Sequence, residues 1–320
     1  MLAYLIRRLL QSFVVFLIVM LITFALPYFE PGGILAPAYI ALGTHANAQT
    51  VHQWGMQNGI FHPFFIRFWN YLLQVCVHFN LGFSWKNNMS VWSIISLYVP
   101  RTIWLALLAF ILTLVIALPI GVLQASKRNS VFDYSMTNFL FVLYGIPAFL
   151  LSLLMIDWFI FGTLHLQLPP SDGSALQVFT NPVPFIVPIV TLAILNLAFF
   201  SRFMRSAVLD VLVQDYVRTA KAKGASQRRI LFKHAFRNAL GPIITIIGLS
   251  IPGLFGGALI IEEVFNYQGV GYETVYAAQY KDIPTVLGIT LLITVFTLLG
   301  NLLADIGLGV VNPRIRVEGK

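Results

Sequence analysis

The chain has 320 residues, of which 58% are hydrophobic and only 10% are charged, and its formal net charge is +8. So many apolar side chains cannot be buried in a soluble core of this length, which excludes an ordinary soluble globular protein and indicates a membrane protein. The single cysteine, Cys76, excludes an intramolecular disulfide and a CxxC metal or redox site.

About six apolar runs are long enough to cross the roughly 30 Å hydrocarbon layer of a membrane as helices. The sequence therefore predicts an all-α polytopic membrane protein, with both termini on the same side because the number of spans is even. The predicted spans are Leu9–Phe29, Ile103–Leu123, Met136–Phe161, Phe185–Met204, Ala239–Ile261 and Thr285–Val310.

The distribution of lysine and arginine predicts the orientation, because these residues are retained on the cytoplasmic side during insertion. With the amino terminus inside, all but four of the 20 lie in the cytoplasm, and the four outside are Arg67, Lys86, Arg101 and Lys281. Both termini are therefore predicted to be cytoplasmic, and the positive charge indicates topology rather than nucleic-acid binding. The first run exceeds the usual signal-peptide core of about 7 to 15 residues, so we interpret it as a retained helix.

These spans divide the chain into an amino-terminal transmembrane helix (1–30), an extracytoplasmic segment (31–100) and a core of five spans (101–320). The extracytoplasmic segment contains the amphipathic stretch FFIRFWNYLLQVCVHF. We expect it to lie on the membrane surface, with its tryptophans at headgroup depth. The alternative is that it also receives a delivery protein or a substrate. The tryptophans are Trp54, Trp69, Trp85 and Trp92.

The outer segment also contains His45, His52, His62 and His78. None of these histidines is four residues from another, whereas metal ligands on one helix usually occupy positions i and i+4 with a carboxylate or thiolate nearby. We therefore predict no metal site.

The chain lacks the motifs of an enzyme or of an ion-driven carrier. It contains no HExxH or GxSxG, and no GxxxxGK[ST] with which to bind a nucleotide, so any ATP that drives it must bind another chain. The ionisable residues predicted within spans, Asp157 and Asp305, lie near span ends, whereas a proton or sodium relay requires carboxylates near the midplane.

A basic segment from Asp215 to Pro242 lies between the fourth and fifth predicted spans, within a cytoplasmic loop at 205–238. Its sequence predicts a helix that ends at Gly224 in a left-handed conformation and a second helix capped by Ser226. Seven cations occur in this segment: Arg218, Lys221, Lys223, Arg228, Arg229, Lys233 and Arg237.

Apolar residues alternate with these cations, which indicates that some of them enter a groove on a partner protein. The alternative is a basic loop that rests on anionic lipid. The apolar set is Tyr216, Val217, Ala220, Ile230, Leu231 and Phe232.

The stretches DYVRTAKAKG and HAFRNAL in this segment resemble the "EAA" region of the permease subunits of ATP-binding-cassette importers, in the oligopeptide and dipeptide branch. Arg218, Thr219 and Ala220 stand in place of the literal EAA triplet. The resemblance extends to RRLL near the amino terminus, YGIPAF around Pro147, IIEEVFNYQGVG with KDIP, and NPRIR near the carboxyl terminus.

The resemblance implies the type I importer permease fold, in which this chain forms half of the pathway of a peptide importer in the bacterial cell membrane. It implies a second permease subunit, two cytoplasmic ATPases, an extracytoplasmic peptide-binding protein and contact with membrane lipid. The chain is then not itself an enzyme and binds no cofactor, since ATP and Mg²⁺ lie on the ATPases. Nucleic acid is not an expected partner.

The resemblance also implies two sets of site residues. The expected ATPase-coupling residues are Asp215, Tyr216, Arg218, Thr219, Ala220, Lys221, Lys223, Gly224, Ala225, Ser226, Arg229, His234, Arg237 and Asn238. The expected translocation-path residues are Pro147, Gly248, Pro252, Gly253 and Glu262.

Two other functions stay open from the sequence. One is an importer of nickel or another small solute with the same architecture, which the absence of paired histidines disfavours. The other, of a different class, is an ion channel or ion-coupled carrier that works without an ATPase.

Overall fold

The structure is a computed structural model in which the secondary structure is almost entirely helical, apart from one short β-ribbon. The residues that it describes are 2–29, 33–84, 86–164, 183–250, 253 and 258–311.

The first helix, α1, covers Leu2–Ala25 and continues through a 3-10 turn at Leu26–Tyr28. The stretch Ile6–Tyr28 is long and apolar enough to cross a membrane, in agreement with the first predicted span. Many of its apolar side chains are exposed, as expected for a helix whose surroundings are lipid rather than water.

Three short helices and a ribbon follow: α2 (Ala36–Leu42), α3 (Ala48–Gln57), α4 (Phe64–Cys76), β1 (Phe83–Ser84) and β2 (Met89–Ser90). The two strands are antiparallel, with Phe83 opposite Ser90. The predicted amphipathic stretch forms α4, which buries Leu72 and Val75 and exposes Phe65 and Trp69. Trp92 is also exposed and Trp54 is half-buried, while Trp85 lies outside the described residues.

The second span is part of a longer helix, α5, that covers Val91–Ser126. It begins 12 residues before the predicted start at Ile103. At about 1.5 Å per residue it is much longer than the hydrocarbon layer is thick. Hydropathy identified the apolar centre of α5 but did not identify the helical turns that precede it.

The third predicted span is wrong as a single helix, because it is broken in the middle. Helices α6 (Val131–Gly145) and α7 (Ala148–Met155) meet at an angle of 100°, and a π-helical turn at Ile156–Leu164 follows. Pro147 provides the physical reason. Its ring disfavours a helical conformation at Ile146, which has φ −74° and ψ 123°, and it offers no N–H to continue the helix.

The remaining helices are α8 (Val183–Leu212), α9 (Asp215–Ala222), α10 (Gln227–Arg229), α11 (Arg237–Ser250), α12 (Leu259–Val264), α13 (Val270–Gln279) and α14 (Ile283–Val311). Helix α8 contains the fourth predicted span and α14 the sixth. The fifth, Ala239–Ile261, lies partly outside the described residues, with α11 and α12 at its two ends. Four described helices can cross a membrane by length and composition, or up to five spans if the bent α6–α7 pair is one.

The chain divides into two compact units, one formed by residues 1–101 and 268–302 and the other by residues 102–267 and 303–320. In the first unit, α4, α5, α13 and α14 contribute to one apolar core. Its buried members are Val75, Leu81, Val91, Ile95, Val270 and Ile289.

The second unit is built around α8, which packs against α6, α7 and α11. Helix α5 approaches α8 closely at Gly121, where an added Cβ would lie 2.5 Å from the carbonyl oxygen of Ser201 and 2.7 Å from Cβ of Met204. A glycine is therefore required at this crossing, since any larger residue would separate the two backbones.

Candidate coupling surface and translocation path

The basic segment begins with α9, which ends in a Schellman motif. The N–H of Ala225 donates to the carbonyl of Ala220 at 3.1 Å, and that of Gly224 donates to Lys221 at 2.9 Å. Gly224 has φ +78°, and an added Cβ would meet nothing within 4 Å. The predicted left-handed glycine is confirmed, and its requirement is conformational rather than steric.

The second helix starts where the sequence predicts it. The Ser226 hydroxyl accepts a hydrogen bond from the N–H of Arg229 at 3.4 Å, which caps α10. A π-helical turn at Ile230–Phe236 then joins α10 to α11. The sequence did not reveal this turn, because its wider backbone hydrogen-bonding pattern has no distinct residue signature here.

Three of the six apolar residues of the segment, some of which were expected to enter a partner's groove, are buried in this chain. Val217 is 0% exposed, Ile230 2% and Leu231 7%. Leu231 belongs to a buried cluster that includes Met204 and Val208 of α8. These three residues are therefore not among those available to a partner's groove, and the packing of Leu231 holds the basic segment against α8.

Two large apolar side chains of the segment do remain available. Tyr216 is 44% exposed and Phe232 is 62% exposed. All seven cations of the segment are exposed as well. We call the exposed side of residues 215–238 the basic surface. It combines two exposed aromatic side chains with exposed cations on the same segment, and this combination is suited to an acidic groove on another protein.

The predicted coupling residues all contribute to this surface, since each of them is exposed or half-buried. Asn238 connects the two ends of the segment, because its side-chain nitrogen donates to the Tyr216 hydroxyl at 3.0 Å and to the His234 carbonyl at 2.8 Å. Asp215 and Arg218 lie 3.8 Å apart, but both side chains are highly exposed, so this ion pair contributes little.

An ion pair that the sequence did not reveal lies close to the basic surface. The guanidinium of Arg205, in α8, forms two hydrogen bonds to the carboxylate of Asp133, at 2.8 and 2.7 Å. Asp133 lies in the first turn of α6 and is 1% exposed. This paired geometry is the strongest form of an arginine–carboxylate contact, and it holds the start of α6 against α8.

A buried glutamine supports the same junction. The side chain of Gln124, in α5, donates to the hydroxyl of Thr137 at 3.1 Å and accepts from Ser201 at 3.0 Å. Because Gln124 is 2% exposed, both of its polar atoms require partners inside the protein. These bonds connect α5, α6 and α8.

Two cavities lie along α8 in this unit, and both are bordered by Tyr144 and Phe199. The first has a volume of about 390 Å³ and is mostly apolar, with Asn196 and Ser250 among its few polar groups. The second has a volume of about 520 Å³ and is bordered by Arg202 as well as by aromatic rings. Of these residues, only Tyr144 belongs to a motif noted in the sequence, YGIPAF, and the sequence did not indicate that it borders a cavity.

The residues predicted to line the translocation path lie in different surroundings. Gly253 borders the first cavity. Pro147 lies at the exposed bend between α6 and α7, and Gly248 has open space where a side chain would be. Glu262 is fully buried and accepts a hydrogen bond from Thr102 at 2.6 Å. Pro252 lies outside the described residues.

The four histidines of the outer segment do not assemble into a site. Within the described ranges, no three histidine, cysteine or acidic side chains come together in a way that would hold a metal ion. The ring of His52 instead lies against that of Phe61, with their centroids 4.9 Å apart and their planes tilted by 31°.

Known proteins match the chain from end to end. The family described as "Binding-protein-dependent transport system inner membrane component" matches residues 117–317, and the amino-terminal domain of such components matches residues 1–106. The chain is 34% identical to the oligopeptide transport system permease protein AppB of Bacillus subtilis, covering 98% of this chain and 99% of that protein. It is 33% identical to the dipeptide transport system permease protein DppB of Escherichia coli K12, covering 99% of both.

Proposed function

Because the chain belongs to the family of inner-membrane components of binding-protein-dependent transport systems, we propose that it is the permease subunit of an ATP-driven peptide importer and forms half of the translocation pathway. The observation that carries this proposal is the end-to-end match to permeases that are named for oligopeptides and dipeptides. Matches over nearly the whole chain include the basic segment as well as the spans.

The basic surface is the proposed docking site for the ATPase subunits. Its positive charge attracts an acidic partner, while the rings of Tyr216 and Phe232 supply apolar contact area. The buried side chains of Val217, Ile230 and Leu231 hold the segment rigidly against the rest of its unit. A movement of the basic surface is therefore transmitted to α8, because the segment is packed against its unit and is not a flexible loop.

The contacts beyond α8 support a route from this surface to the cavities. The Arg205–Asp133 ion pair joins α8 to the start of α6, and α6 carries Tyr144, which borders both cavities. We infer that closure of the ATPases moves α8 and α6 together and thereby changes the shape of the cavities between alternate states.

The complete assembly in this proposal contains several other chains. A second permease subunit completes the pathway, an extracytoplasmic peptide-binding protein delivers the cargo, and two ATPases bind ATP and Mg²⁺. This chain then catalyses no reaction itself and binds no cofactor. Its place is the bacterial cell membrane, with both termini in the cytoplasm, as the lysine and arginine distribution predicts.

Uptake measurements test the substrate class. Deletion of this chain is expected to abolish uptake of radiolabelled dipeptides and oligopeptides and to leave nickel accumulation unchanged, and a plasmid copy restores peptide uptake. The matched control changes His45, His52, His62 and His78 together to glutamine, which is expected to leave peptide uptake largely intact. Loss of nickel uptake with normal peptide uptake in the deletion strain would replace peptide by nickel as the substrate.

A further inference from the structure

Two carboxyl groups are buried in the first unit where the β1–β2 ribbon meets α13. Glu273, in α13, is 2% exposed, and Asp282, between α13 and α14, is 3% exposed. A carboxylate without water is costly unless hydrogen bonds and positive charge compensate it or it takes up a proton. Burial, hydrogen bonds and nearby charge together decide which state Glu273 adopts.

Asp282 has donors for only one of its oxygens. The hydroxyls of Ser84 and Thr285 both donate to Oδ2, at 2.5 and 2.7 Å. The other oxygen, Oδ1, is buried and has no hydrogen-bond partner among the described residues. An unsatisfied carboxylate oxygen in the interior requires a further donor.

Glu273 is hydrogen-bonded to the same ribbon. The side-chain nitrogen of Asn87, in the turn between β1 and β2, donates to Oε1 of Glu273 at 2.8 Å. Ser84 and Asn87 thus attach the ribbon to one carboxyl group each. If both groups were ionised, the two attachment points would carry like charges in a buried environment, and each would disfavour the other.

Burial is the largest influence on the titration of Glu273, and it raises the pKa of that carboxyl to about 7. The hydrogen bond from Asn87 lowers the pKa, the negative charge of Asp282 raises it, and a hydrogen bond with Tyr98 lowers it. Burial and the charge of Asp282, which raise the pKa, outweigh the hydrogen bonds with Asn87 and Tyr98, which lower it.

Other charged and titratable groups of this region lie on three described elements, namely α5, α13 and the turn of the ribbon, and Lys281 precedes Asp282 in the chain. From α5, Tyr98 faces Glu273, and Arg101 donates to the carbonyl and side-chain oxygens of Gln268 at 3.3 and 3.1 Å. From α13, Tyr272 and Tyr276 lie within electrostatic reach of Tyr98.

The third of these elements, the turn of the ribbon, contributes Lys86, which lies 3.8 Å from the centre of the Tyr280 ring. Its ammonium group is therefore engaged by an aromatic face just beyond the end of α13.

We propose that Glu273 is a proton-binding site that fastens the β1–β2 ribbon to α13. A proton on Glu273 removes one of the two buried negative charges and still leaves a carbonyl oxygen to accept from Asn87. It also places an O–H donor within electrostatic reach of Asp282, whose Oδ1 has no hydrogen-bond partner among the described residues. The carboxyl group of Glu273 is then neutral, so the two attachment points of the ribbon no longer carry like charges.

The sign of the pH dependence follows from the raised pKa. Below the ordinary pKa of 4.5, Glu273 carries a proton whether the ribbon is attached or detached, so attachment is most stable there. Between pH 4.5 and about 7, the attached state holds a proton that the detached state releases, so attachment weakens as the pH rises. Above about pH 7, Glu273 is ionised in both the attached and the detached state, so attachment does not weaken further.

The inference goes beyond the proposed function, since it depends on neither the substrate nor the ATPases. On the predicted topology, the ribbon lies on the extracytoplasmic side. Glu273 would then respond to the pH outside the cell, and acid conditions would hold the ribbon in place.

Infrared titration of the purified full-length protein in nanodiscs tests the proton directly. The difference between wild type and Glu273→Gln is expected to contain the C=O stretch of a protonated carboxyl group, which disappears with a midpoint near pH 7. Glu263→Gln is the matched control, because Glu263 is a partly exposed glutamate ten positions earlier in the chain. That variant is expected to keep the titrating band.

Two further variants keep the proposal testable even if Glu273→Gln folds poorly. Asp282→Asn removes the neighbouring charge and is expected to move the midpoint to lower pH, whereas Asn87→Ala removes a hydrogen bond and is expected to move it to higher pH. Midpoints that fail to move in these opposite directions would overturn the assignment. A midpoint that changes strongly with added Ca²⁺ would identify a cation site instead and would also overturn it.

Hydrogen exchange of the ribbon tests the mechanical consequence. After correction for the intrinsic rate, amides of β1 and β2 are expected to exchange faster at about pH 8 than at about pH 6 in the wild type. In Glu273→Gln they are expected to exchange slowly at both values. An equal pH dependence in the two proteins would show that Glu273 does not control attachment.

Discussion

Arg205 in α8 and Asp133 in α6 form a two-bond ion pair, with Nε 2.8 Å from one carboxylate oxygen and a terminal nitrogen 2.7 Å from the other. The residues are 72 positions apart in the chain. The Asp133 side chain is 2% exposed and that of Arg205 is 29% exposed, so water screens this pair only partly. The pair contributes a charged contact to the packing of α8 against α6.

Asp133→Asn should destabilise the protein by about 2 kcal/mol. The change leaves the guanidinium of Arg205 facing a neutral amide whose nitrogen cannot accept the second hydrogen bond, which is costly for a partly buried cation. The measurement is the Tm of the purified protein in detergent. The matched control is Asp215→Asn, whose exposed pair with Arg218 at 3.8 Å should be worth less than about 0.5 kcal/mol. Equal Tm shifts in the two variants would contradict the importance of the buried pair.

Gly224→Val should weaken ATPase binding and transport, because a β-branched residue resists φ +78° at a cost of about 1 to 2 kcal/mol. Gly224→Asn is the informative control, since asparagine tolerates the left-handed conformation and the space around Gly224 is open. Copurification of the ATPases is the measurement. Equal loss with valine and asparagine would indicate that the position is sensitive to side-chain size and not to backbone conformation.

Phe232→Ala and Leu231→Ala should have different effects although the residues are adjacent. Phe232 is exposed, so its loss should reduce ATPase binding and leave Tm nearly unchanged. Leu231 is buried, so its replacement should cost about 2 to 5 kcal/mol of stability through the cavity it leaves. A large Tm decrease for Phe232→Ala with normal ATPase binding would show that the basic surface is not a docking site.

The topology prediction can be tested with single cysteines in a Cys76→Ser background. A cysteine at Gln57, which is exposed in α3, should react with a membrane-impermeant thiol reagent in intact cells. A cysteine at Phe232 should react only after the cells are lysed. The reverse pattern would invert the orientation that the lysine and arginine distribution predicts.

The sequence by itself determined the features that depend on local chemistry. Apolar runs of membrane length identified most spans, and the glycine and serine of the basic segment identified a helix end and a helix start that the structure contains. These features can be predicted from the sequence because each depends on a single residue or on a short run of similar residues. Pro147 was noted in the sequence as part of a motif, but the 100° bend that it causes was not foreseen.

Only the tertiary structure decided which side chains face each other. The sequence could not distinguish Leu231 from Phe232, since both are apolar residues among cations, yet one packs against α8 and the other is exposed. Nor could it pair Arg205 with Asp133, or bring Asn87 to Glu273 across 186 positions. Contacts between distant residues depend on how helices pack in three dimensions, and no local pattern in the sequence encodes that packing.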